Sequence, residues 1–104
     1  MIRRGEIWWS EEEVLGRRPV LVLSRDAVLE ALGRPLVAPL TTRIRGLPTE
    51  VALEASDGLP RACVVSLDNV QPLDAGLLVE RITWLGPDRM QEVCRALTVA
   101  VECE

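Results

Sequence analysis

Three short segments place polar side chains where a sheet would ordinarily be apolar: Arg17-Arg18-Pro19, Thr41-Thr42-Arg43-Ile44-Arg45 and Asp68-Asn69-Val70-Gln71. In the first, Pro19 restricts Arg18 to extended backbone, so a strand rather than a floppy loop aims its guanidinium. In the second, hydroxyls at a strand end can donate to a phosphate oxygen, with Arg43 and Arg45 supplying charge beside them. In the third, the amide of Asn69, the chain's only Asn, can pair with the edge of an unstacked base. Each segment also has a plain structural reading. Arg17 and Arg18 can form ion pairs with some of the sixteen acids, the Thr and Arg residues can be ordinary strand and loop residues, and Asp68-Asn69 can be a turn ahead of Pro72.

The residue types that are missing narrow the chemistry further. The chain has no His, Lys, Tyr or Phe, and all twelve basic residues are Arg. Without His there is no Ser-His-Asp triad, no imidazole acid-base pair and no zinc site of the usual kind. Without Lys, Schiff-base chemistry and Walker-type phosphate loops are excluded. Any catalysis must come from Arg, Asp, Glu, Ser, Thr, Cys or backbone groups, and Arg stays protonated.

Charge is uneven. The net charge is −4 and the pI about 4.9, which argues against a general nucleic-acid binder. Yet residues 14–48 hold six Arg against two acids (Asp26 and Glu30), and a focused basic patch still attracts phosphate. Cys63, Cys94 and Cys103 are odd in number and have no CxxC spacing, so free thiols are expected rather than a disulfide framework or a metal site. No run approaches the ~20 apolar residues of a membrane span, and residues 1–6 lack a signal-peptide core, so the chain reads as cytoplasmic.

The elements that must position these groups follow from patterning. A length of 104 residues with 48% apolar content suits one domain, residues 1–104, with a single core. Residues 5–9 read as a first strand, ended by Glu11-Glu12-Glu13, which would pair poorly in a sheet. Residues 19–24 form a continuous branched run, expected to be the central strand and buried on both faces. Residues 25–32 suit a helix of about two turns. Strands follow at 36–41, where Pro39 demands a bulge or an edge, and at 49–53. A further strand begins at 62–67, which either runs on through 68–70 before Pro72 or turns at Asp68-Asn69, and another covers 78–85. A terminal helix opens at Pro87 with Met90, Val93, Cys94, Leu97 and Val101 as its apolar stripe. Adjacent strand residues face opposite ways, so Trp8 and Trp9 cannot share one core; one belongs at an interface, under a loop or beneath a stacked base. The fold class is mainly β with minor α: a small, strongly bent antiparallel sheet or barrel covered at one end.

Taken in order, Arg4-Gly5-Glu6-Ile7-Trp8-Trp9, Arg18-Pro19-Val20-Leu21-Val22-Leu23-Ser24, Pro39-Leu40-Thr41-Thr42 and Leu47-Pro48-Thr49-Glu50-Val51 resemble the MazF/PemK family of bacterial toxin-antitoxin toxins over nearly the whole chain. The resemblance implies a Src-homology-3-like, CcdB/MazF-type barrel with a C-terminal helix. It implies a homodimer, and an endoribonuclease that cuts single-stranded RNA by 2′-hydroxyl transesterification with no metal and no cofactor. A MazE-like antitoxin would block the groove with an acidic, apolar tail. On this resemblance Arg18 and Thr41 are the catalytic pair, and Asp68 and Asn69 contribute to RNA recognition; Arg17, Thr42 and Arg43 complete the expected RNA-binding set. The chain departs from the family in the shortened, acidic loop of residues 10–17 and in Asn69, where Gln is common. A CcdB-like toxin that poisons a protein target without nuclease activity is the alternative from a different class, and an inactive relative that only dimerises and holds an antitoxin is a third reading.

Overall fold

The computed structural model describes residues 1–14, 16–31 and 33–103. Along them run β1 (Glu6–Glu12), β2 (Gly16–Val22), a single-turn α1 (Asp26–Leu29), β3 (Leu36–Thr41), β4 (Glu50–Leu53), β5 (Cys63–Ser66), β6 (Gln71–Pro72), β7 (Leu78–Trp84) and α2 (Pro87–Ala100). The strands form an antiparallel sheet in the order β4-β5-β3-β2-β1-β7, with β6 paired to β3. β4 and β7 are its edges and do not pair with each other, so the sheet stays open.

It is nevertheless strongly bent. Val51 and Leu53 of β4 share one buried cluster with Ile7 of β1, Leu21 of β2, and Val93 and Ala96 of α2. In a flat sheet β4 and β1 would lie about 19 Å apart, four strand spacings, too far to share a core. On the opposite face Val20, Val22, Val37, Leu73 and Leu78 form a second cluster. β2 therefore supplies Leu21 to one core and Val20 and Val22 to the other, the two-sided burial expected of the central strand.

Several sequence expectations needed correction. β1 does not stop before the acidic run: Glu11 pairs with Arg17 and Glu12 with Gly16, because an opposite charge faces Glu11 across the hairpin. After β5 the strand does not run on: residues Leu67–Asn69 form a 3₁₀ turn, the turn reading of Asp68-Asn69, and Pro72 closes the two-residue β6. The helix expected at 25–32 is only Asp26–Leu29, with no side-chain cap on its first turn, and Leu32 lies outside the described residues. In α2 the buried arc centres on Val93 and Ala96, flanked by Met90, Leu97 and Ala100, while Cys94 and Val101 are exposed. Cys94 lies roughly 100° around the helix from Val93. All three cysteines are free.

Pro39 keeps its expected special place for a local reason. The outer edge of β3 pairs with β6 at Leu36 and Val37 and with β5 at Leu40 and Thr41. Pro39, which cannot donate to a ladder, falls in the interval between these two partners.

Candidate active site

The centre of the sheet positions Arg18 and Thr41. Arg18 lies in β2 opposite Ser10 of β1, and the fully buried Ser10 hydroxyl donates to the Arg18 carbonyl at 2.9 Å. Between β2 and β3, Val20 pairs with Pro39, Leu21 with Ala38 and Val22 with Val37. Carried two residues further, that register sets Arg18 across from Thr41, the last residue of β3.

Arg18 and Thr41 line one open cavity of about 640 Å³ together with Arg43, Asp68 and Asn69. Three residues outside the expected set complete its polar lining: Arg45, Ser66 and Gln71. Arg45 and Gln71 stand in the segments 41–45 and 68–71 already singled out in the sequence, whereas Ser66 gave no signal. Thr42 is exposed and opens instead on an adjoining, more apolar cavity of about 460 Å³ lined by Trp9, Pro19, Thr41 and Ile82. Thr41 is the hydroxyl common to both.

Arg17 is set apart. Its guanidinium bonds Glu80 at 2.8 Å and Glu11 at 3.3 Å and lies 5.0 Å from the Trp9 ring centroid. The alternation of side chains along β2 turns Arg17 and Arg18 to opposite faces, so adjacency in sequence separates them in space. Trp8 and Trp9 diverge likewise. Trp8 packs on the second cluster and donates its indole N–H to Glu6 at 3.0 Å, while Trp9 lines the apolar cavity.

The cavity is basic within an acidic chain, with Arg18, Arg43 and Arg45 against Asp68. None of these three guanidiniums forms an ion pair among the described residues, which removes the structural ion-pair reading of Arg18. The wall residues are held from behind. The Thr49 hydroxyl donates to Asp68 Oδ2 at 2.5 Å, and Asn69 Nδ2 donates to Ser66 Oγ at 2.7 Å. The Arg43 amide donates to Thr41 Oγ1 at 3.1 Å, leaving the hydroxyl proton of Thr41 available for a ligand. Free cations, a hydroxyl donor and an amide converging on a half-open pit suit an anion flanked by a hydrogen-bonding ring, as in a nucleic-acid strand.

Comparison with known proteins gives the same direction. The profile of the PemK-like, MazF-like toxins of type II toxin-antitoxin systems matches residues 3–101. The probable endoribonuclease MazF5 of Mycobacterium tuberculosis is 54% identical over 101 residues, 96% of this chain and 93% of the relative. Probable endoribonuclease MazF2 of the same organism is 41% identical over 103 residues, 98% of this chain and 100% of its own. Among solved structures, Mycobacterium tuberculosis toxin MazF-mt6 superposes with a TM-score of 0.88 at 34% identity, covering 95% of this chain and 98% of that one. An endoribonuclease in complex with its cognate antitoxin, from a mycobacterial species, superposes at 0.89 with 27% identity, covering 100% and 98%.

Proposed function

The chain belongs to the PemK-like, MazF-like toxins of type II toxin-antitoxin systems, whose relatives are named endoribonucleases, and on that premise we propose that its basic cavity cleaves single-stranded RNA with Arg18 and Thr41 as catalytic residues. The observation that carries this reading is the meeting of Arg18, free of any carboxylate among the described residues, with Thr41 in one open cavity.

The reaction needs no protein nucleophile and no metal. The ribose 2′-oxygen attacks the adjacent phosphorus, the bond to the 5′-oxygen breaks, and the products are a 2′,3′-cyclic phosphate and a free 5′-hydroxyl. Arg18 clamps the non-bridging oxygens as charge builds on them, and Thr41 adds a neutral donor. Asp68 is the carboxylate of the cavity that can take the 2′-hydroxyl proton; the departing 5′-oxygen takes its proton from solvent. Arg43 meets the flanking backbone, Asn69 offers its amide to a base edge, and Trp9 with Thr42 lines the adjoining cavity in which a neighbouring base can stack. A homodimer working in the cytoplasm, held inactive by a MazE-like antitoxin whose acidic tail competes for the same cations, completes the proposal.

The test is cleavage of single-stranded RNA in the presence of EDTA, with the fragment ends mapped. Wild-type protein should leave 2′,3′-cyclic phosphate and 5′-hydroxyl ends, and Arg18→Ala should lose two to three decades in rate, the scale of about 3–4 kcal/mol. Equal cleavage by the variant would remove Arg18 from the mechanism. Growth arrest with intact cellular RNA would favour the non-enzymatic binder.

A further inference from the structure

Residues 43–48, which carry two of the three cavity guanidiniums, have no regular secondary structure. The backbone amides of such a loop ordinarily bond to water. Here one carboxylate oxygen, Glu50 Oε1, accepts from the Arg45 amide at 3.0 Å and the Leu47 amide at 3.3 Å. Gly46 lies between them with φ of +71°, a left-handed turn that aims the amides on either side of it at one point, the geometry of a backbone anion nest. The Glu50 amide closes the same turn by donating to the Leu47 carbonyl at 3.0 Å. At the other end of the loop the Arg43 amide is held by Thr41. Glu50 itself stands on a rigid element, the first residue of β4, paired with Ser66 of β5.

We propose that Glu50 is a positioning residue: its carboxylate fixes the loop so that Arg43 and Arg45 both present their guanidiniums to the RNA backbone. This deepens the reading of the cavity as an RNA site and rests on it. Glu50 makes no ion pair among the described residues despite the Arg-rich loop beside it; its charge is engaged by backbone amides and leaves both guanidiniums free.

The inference fixes the sign of an effect that simple electrostatics would reverse. A carboxylate at the rim of an RNA site repels phosphate, so by charge alone its removal should tighten binding. If Glu50 acts by positioning, Glu50→Ala weakens binding although it removes a negative charge.

The experiment uses an RNA oligonucleotide spanning a mapped cleavage site, with a 2′-deoxy nucleotide at that site for binding and the all-ribose form for kinetics. Glu50→Ala should weaken binding roughly tenfold and raise KM in parallel, with kcat within about twofold of wild type. The slope of log affinity against log salt should fall by about 1.4, two single-strand phosphate contacts at about 0.7 each. Glu50→Gln, which keeps an oxygen acceptor for both amides, should restore affinity and slope. In a chain already lacking both guanidiniums, Arg43→Ala with Arg45→Ala, Glu50→Ala should cost nothing more. Should Glu50→Ala not fold, Glu50→Asp, too short to reach both amides, takes its place with the same expected direction. Tighter binding, an unchanged slope, or a further loss in the Arg-free background would overturn the inference. Wild type that cleaves while Glu50→Ala keeps its slope overturns this inference alone; wild type that fails to cleave overturns the parent reading.

Discussion

Where the 3₁₀ turn at Ala55–Asp57 meets α2, Arg89 donates from Nε and Nη2 to Asp57 at 3.0 and 3.1 Å and from Nη1 to Glu92 at 3.0 Å, so its donors are consumed within the protein. At the mouth of β2 and β3 the same residue type occurs three times, in Arg18, Arg43 and Arg45, with no carboxylate partner among the described residues. The contrast separates two uses of one side chain. Paired guanidiniums hold elements together, and their loss should appear as lost stability. Unpaired guanidiniums gathered in a cavity repel one another slightly and, under the proposed function, bind RNA, so their loss should appear as lost function.

The comparison breaks if the two kinds of variant behave alike. The largest effect expected is on the cavity side. Arg18→Ala should lose two to three decades of cleavage while its melting temperature stays near wild type, since its guanidinium forms no ion pair among the described residues. Arg89→Ala should do the reverse, losing about 2 kcal/mol of stability in a chemical denaturation experiment and keeping its cleavage rate well below the melting temperature. Loss of cleavage in folded Arg89→Ala, or a sharp drop in the stability of Arg18→Ala, would dissolve the distinction.

Acid titration sharpens the paired side. Hydrogen bonds from Arg89 hold the Asp57 carboxyl below its ordinary 3.8 despite the opposing effect of burial. Burial pushes the Glu6 carboxyl up, but hydrogen bonds from Trp8, the Arg3 amide and Arg81 outweigh it and hold that group below its ordinary 4.5. The unfolded chain therefore takes up these protons at higher pH than the folded one. Their stabilisation is fully present above about 4.5 and is lost as pH falls through the lowered folded values. Melting temperatures measured from pH 6 to 2.5 should show this decline, with a shallower slope in Arg89→Ala because Asp57 keeps only the hydrogen bond from the Glu54 amide. The smallest effect belongs to Arg17, whose partners Glu11 and Glu80 are exposed. Arg17→Ala should change stability by less than about 1 kcal/mol and leave KM for RNA near wild type. A KM increase as large as that of Glu50→Ala would return Arg17 to the RNA path.

Much of the fold was legible because its signals are local. The branched run at 19–24 marked the two-sided central strand, although β2 begins at Gly16 and ends at Val22, and Pro87 after Gly86 marked the start of α2. The differences fall where a partner brought in by strand pairing or packing overrides a local preference. The acidic end of β1 pairs because Arg17 faces Glu11 across the hairpin, and the chain after β5 turns at Leu67–Asn69, where the Thr49 hydroxyl holds Asp68 and the Thr49 carbonyl accepts from the Leu67 amide. Thr49 lies 19 residues from Asp68, and Arg17, only six residues from Glu11, faces it through the register of the hairpin.

By itself the sequence determined the chemistry available to this protein. Without His or Lys it leaves guanidinium, hydroxyl, carboxylate, thiol and amide groups, and the ordered Arg-Pro and Thr-Thr segments carry the family signature. The tertiary structure decided which copies of those groups meet. Arg17 and Arg18 are neighbours along the chain, yet side-chain alternation in β2 sends one to Glu11 and Glu80, while the other lines the same cavity as Thr41. Register depends on which strands pair and in what alignment. Long-range packing of the two apolar clusters sets that alignment, and a shift of one residue would have exchanged the two arginines.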